Sequence, residues 1–135
     1  MVQQAGAIAE FALYGEHERV IAPEFVHIEP ISDRSSLYEW TILPHSHPGI
    51  FQLLLVTEGE GRLADGESDV ALQPGMAALV PGGVVHALRF APDTQGWVLS
   101  VADALLDDPR LASFGVAGLV RGGKALCLPL GPLAA

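Results

Sequence analysis

Glycine, proline and aspartate divide the chain into short apolar segments, and this rhythm limits the fold more than any other feature. The segments are residues 24–30, 36–44, 50–56, 62–72, 76–80, 84–90 and 97–101. Several alternate apolar and polar residues, as strands with one buried face do. An Asp65-Gly66 pair inside residues 62–72 predicts a β-hairpin. Turns recur about every 8–12 residues, which predicts an all-β sandwich or barrel of about eight strands.

The pattern changes after Val101. Asp103 is a plausible helix N-cap, and ADALLDDPRLASFG predicts one or two short helices that break near Pro109. The tail GKALCLPLGPLAA is rich in prolines and small residues and predicts no closing element. The expected organisation is an N-terminal segment (1–23), a barrel (24–102), and short helices with a tail (103–135).

Charge and composition exclude several classes of protein. Sixteen acidic residues against seven basic ones give a net charge of −9, so no basic face is available to displace counterions from phosphates. Direct binding of nucleic acid by this chain is therefore not expected. No apolar run approaches the ~18 residues that span a bilayer, and no secretory signal precedes the domain. Cys127 is the sole cysteine, which excludes an internal disulfide and predicts a cytoplasmic protein.

Three histidines lie at regular intervals from glycines and a proline in two of the apolar segments. The first segment, HSHPGIFQLLLVTEG, carries His45, His47 and Gln52, and the second, GMAALVPGGVVHALRF, carries His86. His45 and His47 are two residues apart, so on a strand they point to the same face. The three imidazoles converge only if the sheet closes on itself. Alternatively, His45 and His47 lie at a barrel rim and bond to the backbone.

These intervals resemble the two motifs of the cupin superfamily, HxH(x)3–4E(x)6G and G(x)5PxG(x)2H(x)3N. The departures are Gln52 in place of glutamate, Phe90 in place of asparagine, and no glycine at the head of the first motif. The resemblance covers roughly residues 36–101. It implies a small antiparallel jelly-roll barrel with a ligand or metal pocket inside.

The resemblance also implies a metal site, formed by His45, His47 and His86 with Gln52 at the fourth position. Cupin sites normally add a carboxylate to three imidazoles, whereas Gln52 offers only a neutral carbonyl oxygen. Three neutral imidazoles remain adequate ligands for a transition metal. The residues leave two alternatives open: a divalent metal (Zn, Ni, Fe, Cu or Mn) or no cofactor.

A second resemblance extends beyond the motifs, over residues 11 to about 107. The stretches FALYGE, FVHIEPI, LYEWTILPHSH and PDTQGWVLSV are similar to the N-terminal effector-sensing domain of AraC-type transcriptional regulators, of the kind that responds to hydroxybenzoates. The helix-turn-helix modules of that family are absent from this sequence. The resemblance implies a domain that binds a small effector. A metal-dependent cupin enzyme, such as a dioxygenase or isomerase, is the alternative, which the missing carboxylate and the absence of an evident acid or base disfavour.

An aromatic acid is the effector that the residues suggest. Phe90 matches the inward asparagine of the second motif, and Tyr38 and Trp40 share one face of the predicted strand 36–44, although most aromatic side chains belong to a core. His86 adds a polar edge, and Arg34, in a predicted loop, is the candidate partner for a carboxylate. A solvated Arg34 is the alternative.

The family resemblance also implies a homodimer. Between Asp103 and Val120, the leucines together with Phe114 form an apolar series too rich for a solvated helix. This series either pairs two copies or packs back on its own barrel, and the pattern is the same in both cases.

Overall fold

The protein forms two five-stranded β-sheets that pack face to face. The computed structural model describes residues 9–10, 23–112 and 115–129. The strands are β1 (Ala9–Glu10), β2 (Val26–Pro30), β3 (Thr41–Ser46), β4 (Ile50–Glu58), β5 (Gly61–Ala64), β6 (Asp69–Leu72), β7 (Met76–Val80), β8 (His86–Phe90), β9 (Gln95–Ala102) and β10 (Leu126–Pro129). The α-helices are α1 (Ile31–Ser35), α2 (Pro109–Ala112) and α3 (Val116–Arg121), and 3-10 turns span Ser36–Tyr38 and Asp103–Asp107.

Strand order shows how the chain winds between the sheets. The first sheet has the order β1-β3-β8-β5-β6 and the second the order β10-β7-β4-β9-β2. The strand pairs are antiparallel except for the short parallel contact between β1 and β3. The hairpin predicted around Asp65-Gly66 is present as β5 and β6. The predicted all-β jelly-roll class with short C-terminal helices is confirmed.

A hydrophobic core fills the space between the sheets because residues of one parity on each strand point inward. On β4 these are Leu54 and Val56, which meet Leu63, Leu88 and Phe90 of the first sheet. The inward row of β4 also contains Gln52, at the same end of the barrel as the histidines. The sequence pattern thus places a polar group in an otherwise apolar row.

A second core lies on the outer face of the second sheet. Phe51, Leu79 and Val101 point outward from the strands and are covered by Leu106 of the 3-10 turn and by Val120 of α3. Part of the apolar C-terminal series therefore packs back on its own barrel. This was one of the two alternatives, the other being the pairing of two copies. The side chain of Leu111 and all of Phe114 lie outside the described residues.

Three local expectations are wrong. Residues 36–38 are a 3-10 turn followed by Glu39 and Trp40 with φ of 55° and 62°, so β3 begins only at Thr41. Arg34 lies on helix α1 rather than in a loop. The tail does supply a closing element, because β10 pairs with β7 along residues 126–129.

None of the helices in the described ranges combines the length and apolar character needed to cross a lipid bilayer.

Candidate metal centre

Strand register brings three histidines together inside the barrel. His45 near the end of β3 lies directly opposite His86 at the start of β8. His47 follows β3 by one residue, and its ring packs edge-on against His45 with centroids 4.7 Å apart. One nitrogen from each of the three rings lies within 4.8 Å of the others, and in the described part of the chain this is the one such group of metal-ligating side chains.

Backbone carbonyls fix the protonation of two of the rings. The Nδ1 atom of His45 lies 2.7 Å from the carbonyl oxygen of Leu43, and that of His86 lies 2.9 Å from the carbonyl oxygen of Val84. A carbonyl only accepts hydrogen bonds, so both Nδ1 atoms carry a proton and donate. Both Nε2 atoms therefore present a lone pair to the centre of the cluster, as metal-binding histidines do.

The Nε2 atoms of the three rings differ in their hydrogen bonding. His86 Nε2 is buried and has no hydrogen-bond partner among the described residues. His45 Nε2 and His47 Nε2 are 3.0 Å apart, so a proton on His47 Nε2 satisfies both when no metal is bound. An orphaned buried acceptor costs about 1–3 kcal/mol. A metal ion would accept the lone pair of His86 and replace the proton between the other two rings.

Burial keeps His45 and His86 neutral. His45, His47 and His86 are 1%, 3% and 1% exposed. Burial, together with the neighbouring rings of His86 and His47, lowers the pKa of His45 from 6.5 to about 3, despite the hydrogen bond to Leu43. Burial likewise lowers the pKa of His86 to about 4, against the opposing effect of the Val84 carbonyl. Both rings are therefore in the neutral form that binds metal at physiological pH.

Gln52 faces this cluster from the second sheet. Its amide nitrogen donates a 2.9 Å hydrogen bond to the hydroxyl oxygen of Ser100, its direct cross-strand neighbour on β9. Gln52 lines the same cavity as His45 and His47. The position where the cupin motif has a carboxylate thus holds a neutral amide, whose nitrogen is engaged by Ser100.

The donor set fits a divalent transition metal. Metal–nitrogen bonds of ~2.1 Å at right angles separate two nitrogens by ~3.0 Å, and tetrahedral angles by ~3.4 Å. The Nε2 atoms of His45 and His47 are 3.0 Å apart, near the first value, and the ligand atoms of all three rings lie within 4.8 Å of one another. Three imidazoles with a carbonyl oxygen suit Zn, Ni, Fe, Cu or Mn. The residues that would hold the ion are His45, His47 and His86, with Gln52 as the fourth donor.

The cavity beside the histidines is small and mostly apolar. Its volume is about 40 Å³. It is lined by Glu29, Pro30, Ile31, Arg34, Ser35, Ile42, His45, His47, Gln52, Leu54, Leu88, Phe90 and Val98. A cavity that accepts benzene has a volume of ~150 Å³. The space therefore accommodates a metal with one or two small ligands, and an aromatic ring enters only if the walls move apart.

Arg34 reaches the cavity already paired. Its guanidinium donates two hydrogen bonds to Glu29, of 2.8 Å from Nε and 3.1 Å from Nη2. Burial raises the pKa of Glu29, but the hydrogen bonds and charges of Arg34 and His27 outweigh it, so the net pKa is lowered. Glu29 is a cavity residue that the sequence analysis missed. The alternation of FVHIEP, which places His27 and Glu29 on one face of β2, was the available signal.

The three predicted aromatic ligand residues have different positions. Phe90 is buried and lines the cavity. Trp40 packs against the core between the sheets but is not part of the cavity wall. Tyr38 is exposed on the 3-10 turn. Because residues 36–40 do not form a strand, Tyr38 and Trp40 do not share a strand face, and the structure brings neither to the cavity.

Comparison with known families gives one matching family model. Residues 38–102 match the model of the cupin domain. Over these residues the chain has a jelly-roll fold consistent with that family. Both histidine motifs lie inside the matched region, so the cluster occupies the place where the family motifs put it. A comparison with curated protein sequences finds no significant match.

Two solved structures are similar to this chain at low sequence identity. ToxT from Vibrio cholerae superposes with a TM-score of 0.50 at 10% identity, over 77% of this chain and 42% of ToxT. KdgF from a Halomonas species superposes with a TM-score of 0.44 at 24% identity, over 46% of this chain and 58% of KdgF. The chain thus covers less than two thirds of either protein. At these identities the similarity concerns the fold alone.

Proposed function

We propose that this cupin domain senses a small molecule for an AraC-type transcriptional regulator, and that its ligand binds at the cavity beside the histidines. The observation that carries the proposal is the convergence of three buried imidazoles, two of which line a small cavity. The resemblance of residues 11 to about 107 to AraC-type sensor domains supports it. ToxT, an AraC-type protein, supports it at the level of the fold.

A divalent metal is part of the proposed site. When bound, it would supply a Lewis-acidic centre that accepts a carboxylate or another anion. The chain's own residues supply nitrogen lone pairs from His45, His47 and His86, whose side chains are all buried. Such a site binds a ligand and reports its presence without changing it.

A metal-dependent enzyme such as a dioxygenase or isomerase is the second candidate, because the same three imidazoles would hold its metal. Proton transfer in such an enzyme calls for a group with a pKa near the working pH. The carboxyl group in the cavity wall is Glu29, whose pKa is lowered and whose oxygens are bonded to Arg34. Glu29 is therefore a poor acid, which favours binding over catalysis.

The proposed effector is an aromatic acid of the benzoate class. Phe90 would stack beside its ring, and Arg34 would bind its carboxylate once Glu29 has released the guanidinium. Arg34→Ala should therefore weaken the binding of benzoate much more than that of benzamide, because only benzoate uses the counter-charge. Equal losses for both compounds would remove Arg34 from the site. The variant that tests Phe90 is Phe90→Leu. Leucine is chosen because Phe90 belongs to the barrel core, where a charged side chain would destabilise the fold.

Metal analysis of the purified protein tests the site itself. We expect one equivalent of a divalent metal in the wild type and a loss of at least ~10-fold in affinity for His86→Ala, which removes one of three imidazoles. His27→Ala is the matched control, since His27 lies on β2 outside the cluster. Benzoates should raise the thermal stability of the loaded protein without being consumed. Turnover of any of them would favour the enzyme.

A further inference from the structure

Gln52 and Ser100 are polar cross-strand neighbours inside a mostly apolar barrel. They lie opposite each other on β4 and β9, and Ser100 has no solvent exposure. The hydrogen bond from Gln52 to Ser100 takes one end of the amide. A buried serine hydroxyl has a desolvation cost, so its place beside the one polar residue of the inward row of β4 indicates an orienting role.

Because Gln52 is an amide, all four donor groups of the proposed metal site are neutral. Three imidazoles and one amide oxygen add no charge to a divalent ion, whereas a carboxylate at position 52 would cancel half of it. Around the site the cavity wall is largely apolar, with Ile42, Leu54, Leu88 and Val98. In such surroundings an uncompensated double charge attracts an anion far more strongly than in water. Glu29, which could compensate it, is bonded to Arg34.

We propose that Ser100 orients Gln52 as a neutral oxygen donor, and that the site consequently takes an anion, a small carboxylate, as the ligand completing a bound divalent metal. This inference rests on the metal site of the proposed function and names the ligand class of that site. Ser100 acts through Gln52 and is a positioning residue. Specificity for acids then arises at the metal as well as at Arg34.

The anion is tested with cobalt(II), whose visible spectrum reports its ligands. Acetate and benzoate are titrated into the cobalt-loaded protein, with acetamide and benzamide as neutral controls of matched shape. We expect the acids, and not the amides, to shift the wild-type spectrum. In Gln52→Glu, cobalt should bind more tightly and the acids at least 10-fold more weakly. An unchanged wild-type spectrum with all four compounds, or equal acid affinity in both proteins, would overturn the inference.

The role of Ser100 is tested by a double-mutant cycle. Ser100→Ala should weaken cobalt binding by about 10-fold in the wild type, as loss of a supporting hydrogen bond does. In the Gln52→Glu background the loss should stay below about 2-fold, because either oxygen of a carboxylate serves as the donor. Equal losses in the two backgrounds would show that Ser100 is merely structural and would contradict the positioning role.

Circular dichroism and thermal unfolding show whether each variant folds. If Gln52→Glu does not fold, Gln52→Leu replaces it, and Ser100→Ala should then have no effect on cobalt binding because no amide remains to be oriented. An effect as large as in the wild type would overturn the positioning role. Cobalt binding without any response to acids contradicts the anion inference alone. Absence of cobalt binding in every variant contradicts the metal site of the proposed function, and the inference with it.

Discussion

His45 and His86 are poor bases because burial in the barrel lowers the pKa of both imidazoles. A histidine with a lowered pKa binds fewer protons in the folded state than in the unfolded state at any pH between its two pKa values. Its contribution to stability is fully present above the unfolded value of 6.5 and is lost as pH falls toward about 4 for His86 and about 3 for His45. Both rings therefore reduce the stability of the fold over the same acidic range of pH.

The metal-free protein should lose stability steadily from pH 6.5 to about 4. Each histidine contributes a slope of up to ~1.4 kcal/mol per pH unit to the free energy of unfolding. Urea unfolding in the presence of a chelator, at a series of pH values, measures this slope. The double variant His45→Gln, His86→Gln should show a shallower dependence, since its remaining slope comes from carboxylates. A wild-type stability that is flat across this window would contradict the burial of two neutral imidazoles.

Arg34 and Glu29 form the other charged feature of the cavity, and their side chains are only 22% and 13% exposed. Arg34→Ala leaves the Glu29 carboxylate partly buried without its guanidinium partner, so we expect a loss of ~1–3 kcal/mol in the free energy of unfolding. Adding Glu29→Gln to that variant should restore part of the stability by removing the unpaired charge. Chemical denaturation of the two single variants and the double variant measures the coupling, and strictly additive losses would show that the pair contributes nothing.

Among the elements, the strands with regular alternation were predictable and the irregular connection before β3 was not. Turn residues located β5 to β9, because a glycine, proline or aspartate lies within two residues of the end of each strand. SLYEWTILP alternates equally well, yet its first half is a turn. There the backbone amide of Trp40 donates to Ser35, and that of Phe90 donates to Trp40. Such tertiary hydrogen bonds leave no trace in a hydrophobic pattern.

The candidate site was predictable to a similar extent. Motif spacing found His45, His47 and His86, and the register of β3 and β8 places His45 opposite His86. Motif spacing could not find Ser100, whose pairing with Gln52 depends on the register of β4 and β9. The predicted loop around Arg34 made this residue the candidate partner of a carboxylate ligand, whereas Glu29, five residues earlier in the chain, already binds it.

The pairing of β4 with β9 depends on one glycine. Gly96 lies opposite Val56, and a Cβ atom there would be 2.0 Å from the carbonyl oxygen of Leu55 and 2.7 Å from Cδ1 of Ile31. Gly96→Ala should therefore force these two central strands apart and cost at least ~3 kcal/mol of unfolding free energy. Denaturant unfolding measures the loss.

Gly118 supplies the matched control for this substitution. It lies in helix α3, and an added Cβ would meet no atom within 4 Å. Gly118→Ala should stabilise the protein by ~0.5–1 kcal/mol, because alanine restricts the unfolded chain and favours a helix. If Gly96→Ala is as harmless as Gly118→Ala, the close contact between β4 and β9 is not a constraint on the fold.

At the scale of the whole molecule, the barrel has an inner core that forms the site and an outer core that attaches the C-terminal helices. The 3-10 turn Asp103–Asp107 and helix α3 contribute Leu106 and Val120 to the outer core, on the back of the sheet that carries Gln52 and Ser100. Phe51, in the outer core, is adjacent to Gln52 in the chain. The site residue Gln52 and the outer core that holds the helices thus share strand β4.

The predicted homodimer can be tested through its dependence on salt, because each copy carries a large negative charge. Two copies that each carry −9 repel one another, and salt screens that repulsion over a distance of ~10 Å at 0.1 M. An interface built on apolar side chains should therefore strengthen with salt, whereas one built on ion pairs should weaken. On α3, Leu119 is 45% exposed beside the buried Val120 and is available to a second copy.

Sedimentation equilibrium at concentrations of tens of micromolar, corresponding to an association free energy of ~−6 to −7 kcal/mol, should show a dimer that tightens as sodium chloride is raised. Leu119→Asp should return the protein to a monomer, because it would bury an unpaired carboxylate in the interface. Leu37→Asp, at another exposed leucine on the 3-10 turn before β3, should remain dimeric. A dimer unaffected by Leu119→Asp would place the interface on another surface. A wild type that stays monomeric at every salt concentration would defeat the dimer prediction, while the metal and effector site, which lies within a single barrel, would be unaffected.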